Sequence, residues 1–143
     1  ALAALSGAVI GGVTSFGTSW LSQQTQAKVQ ERARKLSQRE ELYKHFIEKA
    51  SQAYADSLGR QAANIGEITG LVDLYALVSM MRVISSTPIV QSADHVVRLI
   101  ADSYLSPNKT LRELHQMVDS DSIDALRAFS EACRAELQKF RVV

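Results

Sequence analysis

The 143-residue chain contains one cysteine, two prolines and seven glycines, and it places no charged side chain among its first 27 residues. Each scarcity excludes something. A lone Cys133 rules out an internal disulfide and any zinc site built on cysteine pairs. So little proline, with no run of strand-like alternation, favours helices over sheet. With 16 basic and 15 acidic residues, formal net charge is only +1, which argues against a whole-protein field for nucleic acid. The nucleophile elbow Gly-x-Ser-x-Gly is missing, and Gly66 and Gly70 lack the lysine and hydroxyl of a phosphate-binding loop. What the chain does have is 46% hydrophobic residues, enough for a packed core. Its length allows one domain with at most one appendage.

The uncharged opening is the most informative block. Residues 1–21 read ALAALSGAVIGGVTSFGTSWL, and about 20 uncharged residues at 1.5 Å rise cover a hydrocarbon core of roughly 30 Å. The stretch exceeds the 7–15-residue apolar core of a signal peptide, so a membrane span over residues 1–27 is the expectation. At about 100° per residue, Leu2, Leu5, Val9, Val13, Phe16 and Trp20 form one stripe, which is expected to face lipid. Ala4, Gly7, Gly11, Thr14, Ser15 and Thr18 fall opposite, a small-residue face suited to close helix packing with Gly7 and Gly11 at its centre. Hydroxyls inside a membrane also line pores, so the alternative is an oligomeric channel lined by Thr14, Ser15, Thr18, Ser22 and Thr25.

Beyond this block come Lys28, Arg32, Arg34, Lys35 and Arg39, against Glu31 alone. The positive-inside rule keeps such a flank in the cytoplasm, with the N-terminus outside, and anionic lipid headgroups would attract it. Aromatic residues do not interleave with these charges, so no nucleic-acid partner is expected.

Neither proline nor glycine occurs between Trp20 and Leu58, so the span is expected to run on as one helix of roughly 55 residues, ~80 Å long. Val29, Leu36, Tyr43, Ile47, Ala50, Tyr54 and Leu58 form a heptad-like, coiled-coil seam, with His45, Lys49, Gln52 and Asp56 opposite. Gly59 and Asn64-Ile65-Gly66 mark a break. A second helix over about 67–84 is apolar on nearly every side, which places it in the middle of a core. Ser85-Ser86-Thr87-Pro88 signals a third helix start, whose inward residues are Ile89, Val90, Ala93, Val96, Val97, Ile100 and Tyr104. Thr110 to Glu113 fits a capping box. A last helix presents Ile123, Leu126, Phe129, Cys133, Leu137 and Phe140. The expected fold class is all-α: a transmembrane helix, residues 1–27, continuing into a cytoplasmic four-helix-type bundle, residues 28–143.

Candidate chemistry is thin. Glu41, His45 and Glu48 share a helix face and offer half a metal site, but later helices supply no matching ligands and the face lies opposite the seam. Asp94-His95 with Ser92, and Glu113 with His115, have the composition of relay pairs without a nucleophile scaffold. Cys133 reads as core. Asn108-Lys109-Thr110 matches the glycosylation triplet, but a turn explains it and a cytoplasmic location forbids the modification. No catalytic, cofactor or metal site is therefore assigned, and the chain is not expected to be an enzyme.

The stretches LYKHFIEKASQAYADSL, LVDLYALVSMMRVISS and SYLSPNKTLRELHQMV give most of the chain a likeness to a group. It resembles uncharacterised bacterial single-span membrane proteins with a small helical soluble domain. The resemblance implies a bacterial inner-membrane placement and brings no activity with it. The expected role is a non-enzymatic assembly or accessory subunit, with membrane lipid and either a homo-oligomer or a larger membrane complex as partners.

Overall fold

The computed structural model describes residues 2–58, 65–105, 113, 116 and 121–142, with side chains from residue 19 in the first helix, 69 in the second and 122 in the last. The described residues are helical throughout apart from the turn at Ser85 and Ser86, so the all-α expectation holds. The helices are α1 (Leu2–Leu58), α2 (Ile65–Ile84), α3 (Thr87–Leu105) and α4 (Asp121–Val142). The uninterrupted 57-residue α1 matches the expected long helix. Gly66 belongs to α2 and not to the break before it.

The chain divides into two units, Ala1–Ser37 and Gln38–Val143. In the first, the described side chains of residues 19–35 are all exposed, and Leu36 is half-buried. Trp20, expected on the lipid side, is exposed, as are Leu21 and Val29. Among the described residues no helix is long and apolar enough to cross a membrane. The side chains on which the span was read, Leu2, Leu5, Val9, Val13 and Phe16 on one face and Ala4, Gly7, Gly11, Thr14, Ser15 and Thr18 on the other, lie outside the described residues.

The second unit holds the core. Tyr43, Phe46, Ala50 and Ala53 of α1 are buried at three- and four-residue intervals, the repeat that keeps one helix face inward. The seam read from sequence contained Tyr43 and Ala50 but omitted Phe46 and Ala53, which lie deeper than Ile47 and Tyr54. Phe46 stacks tilted on Phe129 of α4 at 4.7 Å between ring centroids, and Tyr43 meets the same ring edge-on at 6.2 Å. Such pairs add about 0.5–1.5 kcal/mol beyond the area they bury.

α3 buries Ile89, Ala93, Val96, Val97 and Ile100, the stripe its sequence announces. Its start is one residue earlier than proline at the first helical position requires: the Ser86 carbonyl accepts from Ile89 and Val90 at 3.1 and 3.2 Å, making Ser86 the cap. Two expectations need correction. α2 does not run through the middle of a core: Leu74, Leu77, Val78 and Met81 are buried, but Val72, Tyr75, Met80 and Val83 are exposed. On α4 the expected Phe129 and Cys133 are buried and Leu126 and Leu137 pack against the core, but Ala125 and Glu136 join them while Ile123 and Phe140 are exposed. Because Glu136 is an acid, an apolar stripe drawn through the sequence passes it by. The capping box at Thr110 lies outside the described residues, where only Glu113 and Gln116 are seen as helical.

Candidate functional site

Two arrangements among the described residues carry chemistry: the basic stretch of α1 and a polar network around the buried Glu136. Lys28, Arg32, Arg34 and Lys35 are exposed on α1. Lys35 Nζ reaches Glu31 Oε1 at 2.8 Å, one turn away, and this hydrogen bond, with the lysine's charge, holds the Glu31 carboxyl below its ordinary range. The single acid of the stretch is thereby committed locally. Lys28, Arg32 and Arg34 present their charge to solvent, the disposition that an anionic surface attracts.

Arg39, the last of the five, is placed differently. It is half-buried and its guanidinium lies over the Phe140 ring, 4.1 Å from the centroid. The exposed Phe140 that the sequence put in the core thus serves as a platform for a cation. Beside it Glu40 takes Lys44 at 3.1 Å and Arg141 at 3.7 Å, the second joining α1 to α4.

Glu136 is the one buried charged side chain among the described residues, 8% exposed. Its Oε1 accepts from the Ser86 backbone N–H at 2.9 Å, and its Oε2 accepts from the Tyr43 hydroxyl. That hydroxyl has given its only proton to Glu136, so at 2.8 Å it accepts from Ser85 Oγ. Ser85 and Ser86 form the turn between α2 and α3, and the Ser85 amide closes the end of α2 on the Met81 carbonyl at 2.7 Å. One carboxylate on α4 therefore satisfies a part-buried amide of the α2–α3 turn and a buried phenol of α1. Leaving the buried Tyr43 hydroxyl and Glu136 carboxylate without each other would cost about 1–3 kcal/mol.

The network sets the charge states. Burial alone would raise the Glu136 carboxyl. The hydrogen bonds from Tyr43 and Ser86, with the positive charge of Arg39, outweigh it and hold the group below the usual carboxylate range. Tyr43 shifts up, first because it is buried and second because its proton is held by Glu136. Cys133 lies one turn from Glu136 on α4. Burial, reinforced by that carboxylate's charge, pushes its thiol up to about 12, so it is a protonated core residue and a poor nucleophile.

Among the described residues the remaining candidates do not come together. Glu41, His45 and Glu48 are exposed, and no group of three metal-ligating side chains is assembled among the described residues. Asp94, read beside His95 and Ser92, is engaged by Arg82 Nη2 across α2 and α3, at 3.1 and 3.3 Å. His115 and Asn108 lie outside the described residues. Of the hydroxyls suggested for a pore, Ser22 is exposed, and Thr25 Oγ1 donates to the Leu21 carbonyl at 2.9 Å, within its own helix. Thr14, Ser15 and Thr18 lie outside the described side chains. Sequence reasoning missed Glu136, since a lone glutamate in a helix carries no local mark of burial; its spacing of i+3 from Cys133 and i+7 from Phe129 is the one available sign.

Compared with known families, curated proteins and solved structures, the chain matches none.

Proposed function

We propose that this chain is a non-enzymatic, membrane-anchored assembly or accessory protein. Residues 1–27 cross a bacterial inner membrane with the N-terminus outside. Residues 28–143 form the cytoplasmic part, with Lys28, Arg32, Arg34, Lys35 and Arg39 near the headgroups. The protein acts by helix packing, with itself or within a larger membrane complex, through Ala4, Gly7, Gly11, Thr14, Ser15 and Thr18.

The observation that carries this reading is the contrast along α1. Its described residues 19–35 are helical with no side chain buried, and a helix with no packed face gains little from propensity alone. Lipid and a neighbouring helix supply what the chain does not. The uncharged 1–27 block followed by the basic run supplies the matching chemistry. The internal hydrogen bond of Thr25 supports packing over a water-filled pore, since the hydroxyl is satisfied without water.

The test is purification from native membranes in mild detergent, with mass spectrometry of what remains bound. Gly11→Leu is expected to break the association, while Val13→Leu on the opposite face leaves it intact. Equal complex sizes for the two variants would overturn the assigned face. Release of the wild-type chain by alkaline washing would overturn the span.

A further inference from the structure

α4 runs antiparallel to the packed part of α1. Its Phe129 meets Tyr43 and Phe46, its Glu136 meets Tyr43, and its last turn arrives at Arg39 and Glu40. The end of α4 is thereby brought to the residues with which α1 begins the packed unit, from Gln38 onward. Two basic segments far apart in the sequence become one surface.

The charge at this end is one-sided. Lys139 and Arg141 occupy the last turn of α4, and both are exposed, as is Lys44 of α1. Arg39 lies over the Phe140 ring, 4.1 Å from its centroid. Against these four cations stand Glu40, shared by Lys44 and Arg141, and the buried Glu136, committed to Tyr43 and Ser86. Glu41 falls about 200° from Arg39 around α1, on the far side of that helix. Positive charge is therefore in excess, and apolar surface accompanies it: Phe140 is 49% and Val142 87% exposed.

We infer that the last turn of α4, together with Arg39 and Lys44, is a headgroup-binding surface for anionic phospholipid. Lysine and arginine beside exposed aromatic and aliphatic side chains suit a bilayer interface, where cations meet phosphate and apolar groups enter the acyl boundary. A nucleic acid would use the cations and leave Val142 in water. The sequence leads into this surface from the basic run Lys28, Arg32, Arg34 and Lys35, of which Arg39 is the last member. Such a surface rests on the membrane reading above and adds to it a lipid class and two residues, Lys139 and Arg141, remote from the N-terminal run.

The test uses the full chain with a fluorophore on Gln138→Cys, an exposed position in the same turn as Lys139 and Arg141. The buried, protonated Cys133 thiol does not compete for the label. The protein is reconstituted into vesicles of phosphatidylcholine alone or of phosphatidylcholine mixed with phosphatidylglycerol, each holding the same trace of a lipid with a quencher on its headgroup. Quenching is expected to be several times stronger in the anionic vesicles and to fall to the neutral level at high salt. Lys139→Gln with Arg141→Gln is expected to abolish the difference, at about fivefold lost attraction per basic residue, with helicity unchanged because both side chains are exposed. Arg98→Gln with Arg127→Gln removes the same charge from other exposed positions and is expected to leave quenching intact. Equal quenching in the two vesicle types, or equal loss from the two double variants, would overturn the surface. So would removal of the quenching by duplex DNA at matched phosphate concentration, which would make nucleic acid the partner. Alkaline extraction separates this surface from the span: a chain released by alkali yet quenched in anionic vesicles sinks the span alone, one that resists alkali without quenching sinks the surface alone, and one both released and unquenched sinks both.

Discussion

Residues 19–35 and 38–58 lie on one helix, yet two different sets of forces act on them. The earlier stretch buries none of its side chains, and its one ion pair is the exposed Lys35–Glu31 contact. The later stretch buries Tyr43, Phe46, Ala50 and Ala53. Propensity alone gives both segments a helix, because both are rich in Ala, Gln, Glu, Lys and Arg and lack proline. Tertiary packing stabilises only the second. The comparison teaches that helix formation and burial are separate facts about a sequence.

The comparison is most severely tested at its extremes. Phe129→Ala removes the ring on which both Tyr43 and Phe46 rest and is expected to cost about 3–5 kcal/mol of unfolding free energy. Val29→Ala, in the exposed stretch, should stay within about 0.5 kcal/mol of wild type. Denaturant titration followed by circular dichroism measures both, and a comparable loss for the two would erase the distinction.

A smaller effect sharpens it through pH. The folded-state pKa of Glu136 is lowered, so its ionised form contributes stability that is present above the unfolded value and lost as pH falls through the folded one. The loss therefore begins below about pH 5 and deepens with acid. Glu136→Gln should lower stability by about 1–3 kcal/mol at neutral pH, then converge with wild type on the acid side. Parallel curves would show that the carboxylate's charge plays no part. Smallest of all is Glu31→Gln, expected to leave the denaturation midpoint of the packed unit unchanged at low and at high salt. This carboxyl is fully solvated and its pairing is local.

Much of the fold was legible before any coordinates. Continuous α1 follows from the absence of breakers, and α3 displays its inward face as Ile89, Ala93, Val96, Val97 and Ile100. The misreadings share one cause. α2 carries apolar residues all round, and periodicity cannot say which side meets the core when every side looks alike. Phe140 was read as core because it is large and apolar, but it sits at the rim beneath Arg39. Glu136 was passed over for the converse reason: its burial depends on Tyr43, 93 residues away, and on the turn at Ser86.

By itself, then, the sequence determined the all-helical class, the unbroken first helix and the segregation of charge that leaves residues 1–27 bare, because each depends on neighbours within a turn or two. Only the tertiary structure decided that Glu136 is a buried, ionised tie between α1, α4 and the α2–α3 turn, and that Leu74, Leu77, Val78 and Met81 are the side of α2 turned inward. Hydrogen-bond partners and the face a helix turns inward are set by residues far apart in the chain, and no local pattern encodes that distance.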